Sequence, residues 1–440
     1  MRRRFSLFGL FAVLVLVVAA CGGGGGGETG AAGTTGGGAE CGSGSISLMG
    51  IWVATEQASI QAVIDGFNEK CPDVTVKYNP AGDNLVTVLA TAVQGGNPPD
   101  LATIAQPATV GEYVDKGSLK PIDFASDVVN ENYSEDLVKQ GTFDGKLYGF
   151  FFKGLNKSTV WYNVPVFEDA GVEAPATWDD FLAAAKTIKA SGVPAYSIGG
   201  ADGWTLTDLF ENVYIRTAGP EKYDQLATHE IPWTDQSVKD ALTEMAKVYG
   251  DTDNIAGGTE GALQTDNATS ITNAFADPPK AAMVIEGDFV PGEILGSTKA
   301  KPETGFNVFT FPSINDSPPA VIGGGDMIVM FKASPAAEAF VKYLATPEAA
   351  EIWVKRGGFS SPNMNVDEAA YADPIQRATA TAIAQAETFR FDLSDLQPSA
   401  FGGTVGQGEF KLFQDFLSNP SDVDGIAKKL EDAAAKAYKG

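Results

Sequence analysis

The sequence predicts an α/β protein of two lobes, with the chain crossing between them several times. Segments with strand and helix patterns alternate from Ser45 onward, which is typical of parallel βα units. About 395 residues follow the low-complexity N-terminal part, enough for two or more hydrophobic cores. The aromatic and β-branched stretch at 144–163 is long, and we expect it to cross between the lobes.

The first 20 residues have the features of a secretory signal. Arginines at 2–4 precede a 16-residue apolar run at 5–20 that ends in small residues. As a helix this run reaches about 24 Å, short of the roughly 30 Å hydrocarbon core of a bilayer. The motif Val-Ala-Ala-Cys at 18–21 resembles the lipobox of bacterial lipoproteins, in which Cys21 becomes the lipidated first residue. An ordinary signal peptide and a short anchor helix are the alternatives.

Residues 21–44 are predicted to be the lipidated cysteine and a flexible Gly-rich tether. The segment is mostly Gly, Thr, Ala and Ser without apolar periodicity, so it cannot bury enough surface to offset its ordering entropy. We therefore expect the folded protein to begin near Ser45. The lipid would anchor it to the outer face of the bacterial cytoplasmic membrane.

Acidic residues dominate the charged composition. Without the three N-terminal arginines, 28 basic residues stand against 56 acidic ones, a charge near −28, which argues against nucleic acid as a partner. His229 is the single histidine of the sequence, and neither GxxxxGK[ST] nor GxSxG occurs. We expect no catalytic residue, no metal and no cofactor.

The cysteines predict one disulfide bond. With Cys21 assigned to lipid, Cys41 and Cys71 remain, an even number for an oxidising compartment. A strand of about eight residues rises ~26 Å and the next helix descends ~22 Å, which returns Cys71 close to the level of Cys41. A disulfide is therefore geometrically reasonable, and two free thiols are the alternative.

The first elements alternate regularly. Strands are predicted at 45–52, 73–80 and 99–107. Between the first two, Glu56 to Lys70 has apolar residues at helical spacing behind Thr55 as N-cap.

Later helices have clear starts. A capping box is predicted at Thr177 to Asp180, and Ser-Pro and Thr-Pro pairs at 334–335 and 346–347 open two more helices. Residues 321–330 are predicted to be an apolar strand interrupted by a glycine kink. A last amphipathic helix is predicted from Ser421 onward.

Several segments occur in an order typical of a known family. They are GIWVATEQASIQAVIDGFNEKCPDVTVKY at 50–78, GGNPPDLATIAQP at 95–107, DGKLYGFFFK at 144–153, FEDAGVEAPATWDDFLAAAKTIKA at 167–190 and SPAAEAFVKYLATPEAAEIW at 334–353. Over roughly 45–440 the chain resembles the carbohydrate-type extracellular solute-binding proteins of ABC importers, which are similar to maltose-binding protein. The segments at 203–217, 223–235 and 388–402 resemble the α-glucoside-binding branch.

The resemblance implies a periplasmic-binding-protein-like fold with the ligand in a cleft between the lobes. It implies a first lobe of 45–155 with 312–357, and a second lobe of 156–311 with 358–440. The implied partners are an oligosaccharide and the ABC permease subunits, with a separate ATPase subunit supplying energy. We expect the protein itself to be a monomer.

Candidate sugar-binding residues on the first lobe lie where strands end, the position at which open α/β sheets bind ligands. Trp52 is predicted to stack on a sugar and Glu56 to accept hydroxyl bonds, while core packing and a helix-dipole role are the alternatives. The side-chain amide of Gln106 is predicted to form a hydrogen bond with a sugar hydroxyl. The alternative is that Gln106 is an ordinary polar residue of a loop. Gly325 and Asp326 allow close backbone approach to a ligand, or form a strained turn.

Candidates on the second lobe combine carboxylates with aromatic rings. Asp202, Trp204 and Asp208 lie on or just after a Gly-rich loop. Glu286, Asp288 and Phe289 follow an apolar strand, with Phe289 where related proteins frequently have Trp. Ligand contact and a structural role are both open for the two carboxylates in this group.

The pair Arg390 and Asp392 suits vicinal hydroxyls, because Arg presents a fork of donors and Asp a pair of acceptors. An interlobe salt bridge is the alternative. Lys153 and Lys157, in the predicted crossing region, are secondary candidates.

Two functions remain open from the sequence. The first is a lipid-anchored binding protein that closes on an oligosaccharide, an α-glucoside of the maltose or trehalose type, and delivers it to a permease. The second is a surface glycoside hydrolase that uses two carboxylates. A binding protein for a non-sugar solute and a chemosensory role for the same fold are further alternatives.

Overall fold

The computed structural model describes residues 41–371, 373–386 and 388–439. The predicted signal peptide, the lipidation site Cys21 and residues 22–40 of the predicted tether lie outside the described residues. Folded structure begins before Ser45, because a disulfide bond joins Cys41 to Cys71 and a strand starts at Gly44. Residues 41–44 therefore belong to the fold and not to a tether.

The first sheet begins with a parallel βα arrangement. Its strand Gly44–Gly50 lies between Val74–Pro80 and Leu101–Ile104 and is parallel to both. The helices Ala54–Lys70 and Leu85–Gln94 connect these strands. Parallel strands need such helical crossovers, so the alternating pattern in the sequence is the pattern of this sheet. The predicted α/β fold class is confirmed.

The strand Val321–Met330 extends this sheet and also links it to the crossing segment. It is antiparallel to Leu101–Ile104 and to Gly149–Asn156, and parallel to Phe389–Phe391. The predicted glycine kink is wrong: the strand is continuous, with a register shift between Asp326 and Met327.

Close strand packing explains the glycine at position 325 of this strand. A Cβ atom at Gly325 would lie 2.5 Å from the carbonyl oxygen of Lys153 on the neighbouring strand. A side chain at this position would therefore force the two strands apart. Gly325 is thus required by packing in the sheet.

A second sheet lies in the middle of the sequence. Its strand Thr159–Asn163 pairs antiparallel with Met283–Ile285 and with Phe306–Thr310. A short hairpin of Thr142–Phe143 and Lys146–Leu147 precedes the crossing segment.

The helices fall into two groups along the chain. The helices within 41–144 and 335–354 are Ala54–Lys70, Leu85–Gln94, Pro107–Asp115, Ser126–Asn132, Glu135–Gln140, Pro335–Leu344 and Pro347–Val354. The helices within 164–297 and 374–437 are Val164–Ala170, Trp178–Ala190, Trp204–Ala218, Pro220–Ala227, Gln236–Tyr249, Gly258–Ala262, Asn267–Phe275, Val290–Ser297, Pro374–Gln385, Leu393–Leu396, Ser399–Gly402, Gly408–Ser418 and Val423–Ala437.

Side-chain caps fix most of the predicted helix starts. Thr177, Ser334 and Thr346 each accept a backbone N–H bond at the start of a helix, as predicted. The predicted N-cap Thr55 is wrong, because the first helix already begins at Ala54 and its N-cap Val53 has no side-chain acceptor. The last helix is capped by Asp422, one residue after the predicted start.

The hydrophobic residues form separate cores around the two sheets. Among the described residues there are four hydrophobic clusters; of the two largest, the first packs Trp52, Phe152 and Trp353, and the second packs Phe210 and Trp233. Each core covers one face of a sheet with helices, which is the packing of an α/β layer. The structure thus has two α/β lobes.

The chain passes from the first core to the second between Phe152 and Val160, and returns between Ile322 and Ile328. The predicted lobe boundaries stay predictions. Ile322 packs in the second core and Phe359 in the first, which favours later boundaries than 311/312 and 357/358. Among the described residues, no helix is long and apolar enough to cross a membrane.

Candidate ligand-binding cleft

Two lysines are buried where the chain crosses between the two cores. Lys153 is 3% exposed and Lys157 is 7% exposed. A buried ammonium is stable only when anionic groups compensate its lost hydration. Both lysines are surrounded by carboxylates that the sequence predicts as candidate ligand-binding residues, so the predicted site residues converge on the crossing segment.

The first cluster, the Lys153 cluster, combines groups from both lobes. Lys153 forms an ion pair with Glu56 at the start of the helix Ala54–Lys70. Burial alone would lower the pKa of Lys153, but the nearby carboxylates of Glu56, Asp326 and Asp288 outweigh burial and raise it. The ammonium therefore stays charged.

Asp288 and Asp326 of this cluster are themselves buried. Ser360 donates its hydroxyl to Asp288, and burial raises the pKa of Asp288 to about 6. Burial also raises the pKa of Asp326, while Lys153 and the indole N–H of Trp52 oppose this rise.

The second cluster, the Lys157 cluster, lies wholly among buried groups. Lys157 forms an ion pair with Asp208 Oδ1 at 3.0 Å and a second one with Asp392. Burial alone would raise the pKa of Asp392, but Lys157 and the Ser394 hydroxyl lower it below its usual value. Asp208 has no such hydroxyl, and burial raises its pKa to about 7.

Buried glutamate also supports the Lys157 cluster. Glu211 Oε2 accepts the backbone N–H of Leu393 at 2.9 Å and the phenol of Tyr223 at 3.2 Å. These bonds hold the short helix Leu393–Leu396, whose N-cap is Asp392. Glu211 therefore positions Asp392 beside Lys157.

A third group joins the two lobes directly. Trp204, at the start of the helix Trp204–Ala218, donates its indole N–H to Asp83 Oδ1 at 3.2 Å. Asp202 accepts the backbone N–H of Asn267 at 2.6 Å. Burial, together with the negative charge of Asp83, raises the pKa of Asp202 to about 7.

Asp83 is a functional candidate that sequence reasoning missed. It lies just after the strand Val74–Pro80, as Glu56 lies after Gly44–Gly50. Carboxylates that follow neighbouring parallel strands meet at one edge of the sheet. This rule, applied to the second strand, would have found Asp83.

An aromatic pair lies between the two lysines. The rings of Trp204 and Phe289 meet edge to face with centroids 6.1 Å apart. Lys157 Nζ lies 5.4 Å from the Trp204 ring, and Lys153 Nζ lies 5.7 Å from the Phe289 ring. Cation–π attraction therefore links both charged clusters to the aromatic pair.

Trp52 is part of the core and does not present a free face. Its side chain is fully buried, and its ring packs edge to face on Trp353 at 4.9 Å. Its indole N–H donates to Asp326 Oδ2 at 2.7 Å. The stacking predicted for Trp52 is wrong in this structure; the residue orients Asp326 instead.

Arg390 and Asp392 do not form the predicted pair. Arg390 binds Asp224 with two bonds, Nε to Oδ1 at 2.6 Å and Nη2 to Oδ2 at 2.9 Å. Asp392 faces Lys157 in the interior. The exposed Asp224 binds the guanidinium of Arg390 at the protein surface, away from the buried clusters.

The other predicted residues lie at the edge of the site. Gln106 bonds with Asp395, a buried neighbour of the Lys157 cluster. Glu286 is 3% exposed, and burial raises its pKa well above the usual value. With Tyr196 and Ser197, Glu286 lines a cavity of about 20 Å³.

The assembled side chains suit a neutral polar ligand. Carboxylates accept hydrogen bonds from hydroxyls, and ammonium groups donate hydrogen bonds to them. The Trp204–Phe289 pair offers an apolar edge. Among the described residues, no group of His, Cys, Asp and Glu is arranged to hold a metal ion.

Two α/β lobes with polar and aromatic groups converging at the crossing segment define a two-lobed solute-binding protein. The chain belongs to the bacterial extracellular solute-binding protein family, whose profile matches residues 52–351.

Two relatives of known description and one solved structure are similar to this chain. The chain is 31% identical over 401 residues to the alpha-glucosides-binding periplasmic protein AglE of Rhizobium meliloti, covering 87% of this chain and 85% of AglE. It is 30% identical over 372 residues to the osmoprotective compounds-binding protein GgtB of Synechocystis sp., covering 83% of this chain and 86% of GgtB. The solved structure of a chitin oligosaccharide binding protein has a TM-score of 0.77 at 23% identity, covering 90% of this chain and all of that one, and shows the same fold.

Proposed function

We propose that this protein is the lipid-anchored extracytoplasmic binding subunit of an ABC sugar importer. It captures an oligosaccharide of the α-glucoside class, such as a maltose- or trehalose-type sugar, and delivers it to the permease. Cys21 carries the lipid, and the protein acts as a monomer with a separate ATPase subunit. The relatives described as binding proteins, among them AglE, support a binding role over glycoside hydrolysis.

One observation carries the sugar proposal: carboxylates from both lobes converge on two buried lysines beside the Trp204–Phe289 pair. Hydroxyl groups of a sugar need donors and acceptors on several sides, and its C–H faces need an aromatic surface. The ligand-binding residues proposed on this basis are Glu56, Asp83, Lys153, Lys157, Asp202, Trp204, Asp208, Asp288, Phe289, Asp326 and Asp392.

The proposed mechanism is closure of the two lobes on the ligand. Glu56 and Asp83 reach the site from the first lobe, and Trp204 and Asp288 from the second. A ligand that contacts both sides binds the closed arrangement more tightly than an open one. It shifts the equilibrium toward closure only by that difference in affinity.

A ligand-screened melting curve on residues 41–440 tests the proposal, since binding raises thermal stability by mass action. Maltose, trehalose, sucrose and longer α-glucosides form the panel, with amino acids, peptides and divalent metals as controls. We expect a rise in melting temperature with at least one α-glucoside. Stabilisation by an amino acid, peptide or metal alone would refute the sugar assignment, and release of glucose from an aryl-glucoside would favour the hydrolase.

A further inference from the structure

Arg216, at the end of the helix Trp204–Ala218, is a buried cation that differs from the two lysines in the groups around it. Its side chain is 6% exposed. Its Nη1 donates to the backbone oxygen of Asn212 at 3.0 Å and to Asn212 Oδ1 at 3.1 Å, and its Nη2 donates to the carbonyl of Ala320 at 2.8 Å. All these acceptors are neutral. Within the described residues, no carboxylate forms an ion pair with Arg216.

The missing countercharge has an energetic consequence. Burial lowers the pKa of Arg216 to about 9, and no neighbouring carboxylate opposes this effect. A guanidinium has five N–H donors, and the protein oxygens named above accept three of them. The Nε hydrogen and one Nη2 hydrogen have no protein acceptor in the described part of the chain.

A pocket of about 360 Å³ opens at this guanidinium, on the second lobe and outside the proposed sugar site. Its walls are mostly apolar, with Pro175, Phe309, Phe311 and Pro318 beside Arg216, and the hydroxyl residues Thr310, Ser313 and Ser317 also line it. The Phe311 ring lies 4.8 Å from the guanidinium carbon. Small-molecule sites have about this volume, apolar walls and a few placed polar groups.

We propose that this pocket is a second binding site, which takes a small organic carboxylate with an apolar body. The carboxylate accepts hydrogen bonds from the free edge of the Arg216 fork, a geometry that suits two parallel N–H···O bonds. The body of the ligand packs against the proline and phenylalanine walls. The ligand supplies the anion that the protein itself does not provide.

The site is independent of the proposed sugar function and is tested with benzoate as the probe. Titration of residues 41–440 by calorimetry or by ligand-observed NMR should show saturable benzoate binding. Benzamide has nearly the same shape without the charge, and should bind at least about tenfold more weakly. Equal binding of benzamide, or no benzoate binding, would overturn the proposal.

Two variants locate the binding. Ala176→Trp places a large side chain at an exposed position of the pocket wall and leaves every bond of Arg216 intact. It should abolish benzoate binding and leave the melting temperature unchanged. Arg216→Met should weaken benzoate binding to the level of benzamide. If Arg216→Met does not fold, Ala176→Trp alone still tests whether benzoate binds in this pocket. Benzoate binding that survives Ala176→Trp would contradict the assigned site.

Discussion

The Lys153 and Lys157 clusters contain the same chemical groups but differ in burial and in the lobes that supply them. The partners of Lys157, Asp208 and Asp392, are fully buried. The partner of Lys153, Glu56, is 30% exposed, and the cluster joins carboxylates of both lobes. We therefore infer that the Lys157 cluster is a fixed part of the structure, and that under the proposed closure mechanism the Lys153 cluster forms as the lobes come together.

The largest loss of stability is expected when the cation of the Lys157 cluster is removed. Lys157→Met leaves Asp208 and Asp392 buried without their cation, so we expect the free energy of unfolding at pH 7 to fall by about 3–5 kcal/mol. Urea denaturation followed by circular dichroism measures this. Lys428→Met is the matched control, since Lys428 and Asp432 are 71% and 64% exposed and their pair is worth less than about 1 kcal/mol. An equal loss of unfolding free energy in the two variants would contradict the claim that the buried pairs of Lys157 stabilise the protein more than an exposed pair.

Lys153→Met should separate binding from stability. Glu56 can turn to solvent, and Asp326 keeps its bond from Trp52, so we expect a loss of only about 1–2 kcal/mol in stability. Affinity for the sugar should fall at least about tenfold, because a donor shared by both lobes is removed. Denaturation and calorimetry on one preparation measure both. A stability loss as large as that of Lys157→Met would show that both clusters are equally fixed.

A change of pH is expected to alter the free energy of unfolding by a smaller amount. Burial raises the pKa of Asp202 and Asp208 to about 7, and of Asp288 to about 6, against usual values near 4. The folded protein then binds more protons than the unfolded chain between about pH 4 and 7. These groups therefore contribute stability at low pH that is lost as pH rises through 7.

Urea denaturation at pH 5, 6, 7 and 8 tests this dependence. The free energy of unfolding should decrease between pH 5 and 8, and Asp202→Asn should make the decrease smaller. Asp224→Asn, at an exposed carboxylate, is the control and should leave the slope unchanged. A stability that increases over this interval would contradict the burial of neutral carboxyl groups.

The sequence predicts the fold better than the contacts of the site. Alternation of strand and helix patterns and the caps Thr177, Ser334 and Thr346 are local properties, so they are readable from neighbouring residues. The pairing of Arg390 with Asp224 joins residues 166 positions apart, and no local pattern contains it. The burial of Trp52 likewise depends on Trp353, which lies far along the chain.

We propose that a sugar binds between the lobes against the Trp204–Phe289 pair. Calorimetric titration with the best-stabilising α-glucoside tests it on the wild-type protein, Trp204→Ala and Trp204→Phe. Loss of an aromatic surface costs about 1–3 kcal/mol, so we expect Trp204→Ala to bind about five- to 150-fold more weakly, with Trp204→Phe between it and the wild type. Unchanged affinity in a folded Trp204→Ala variant would contradict the account.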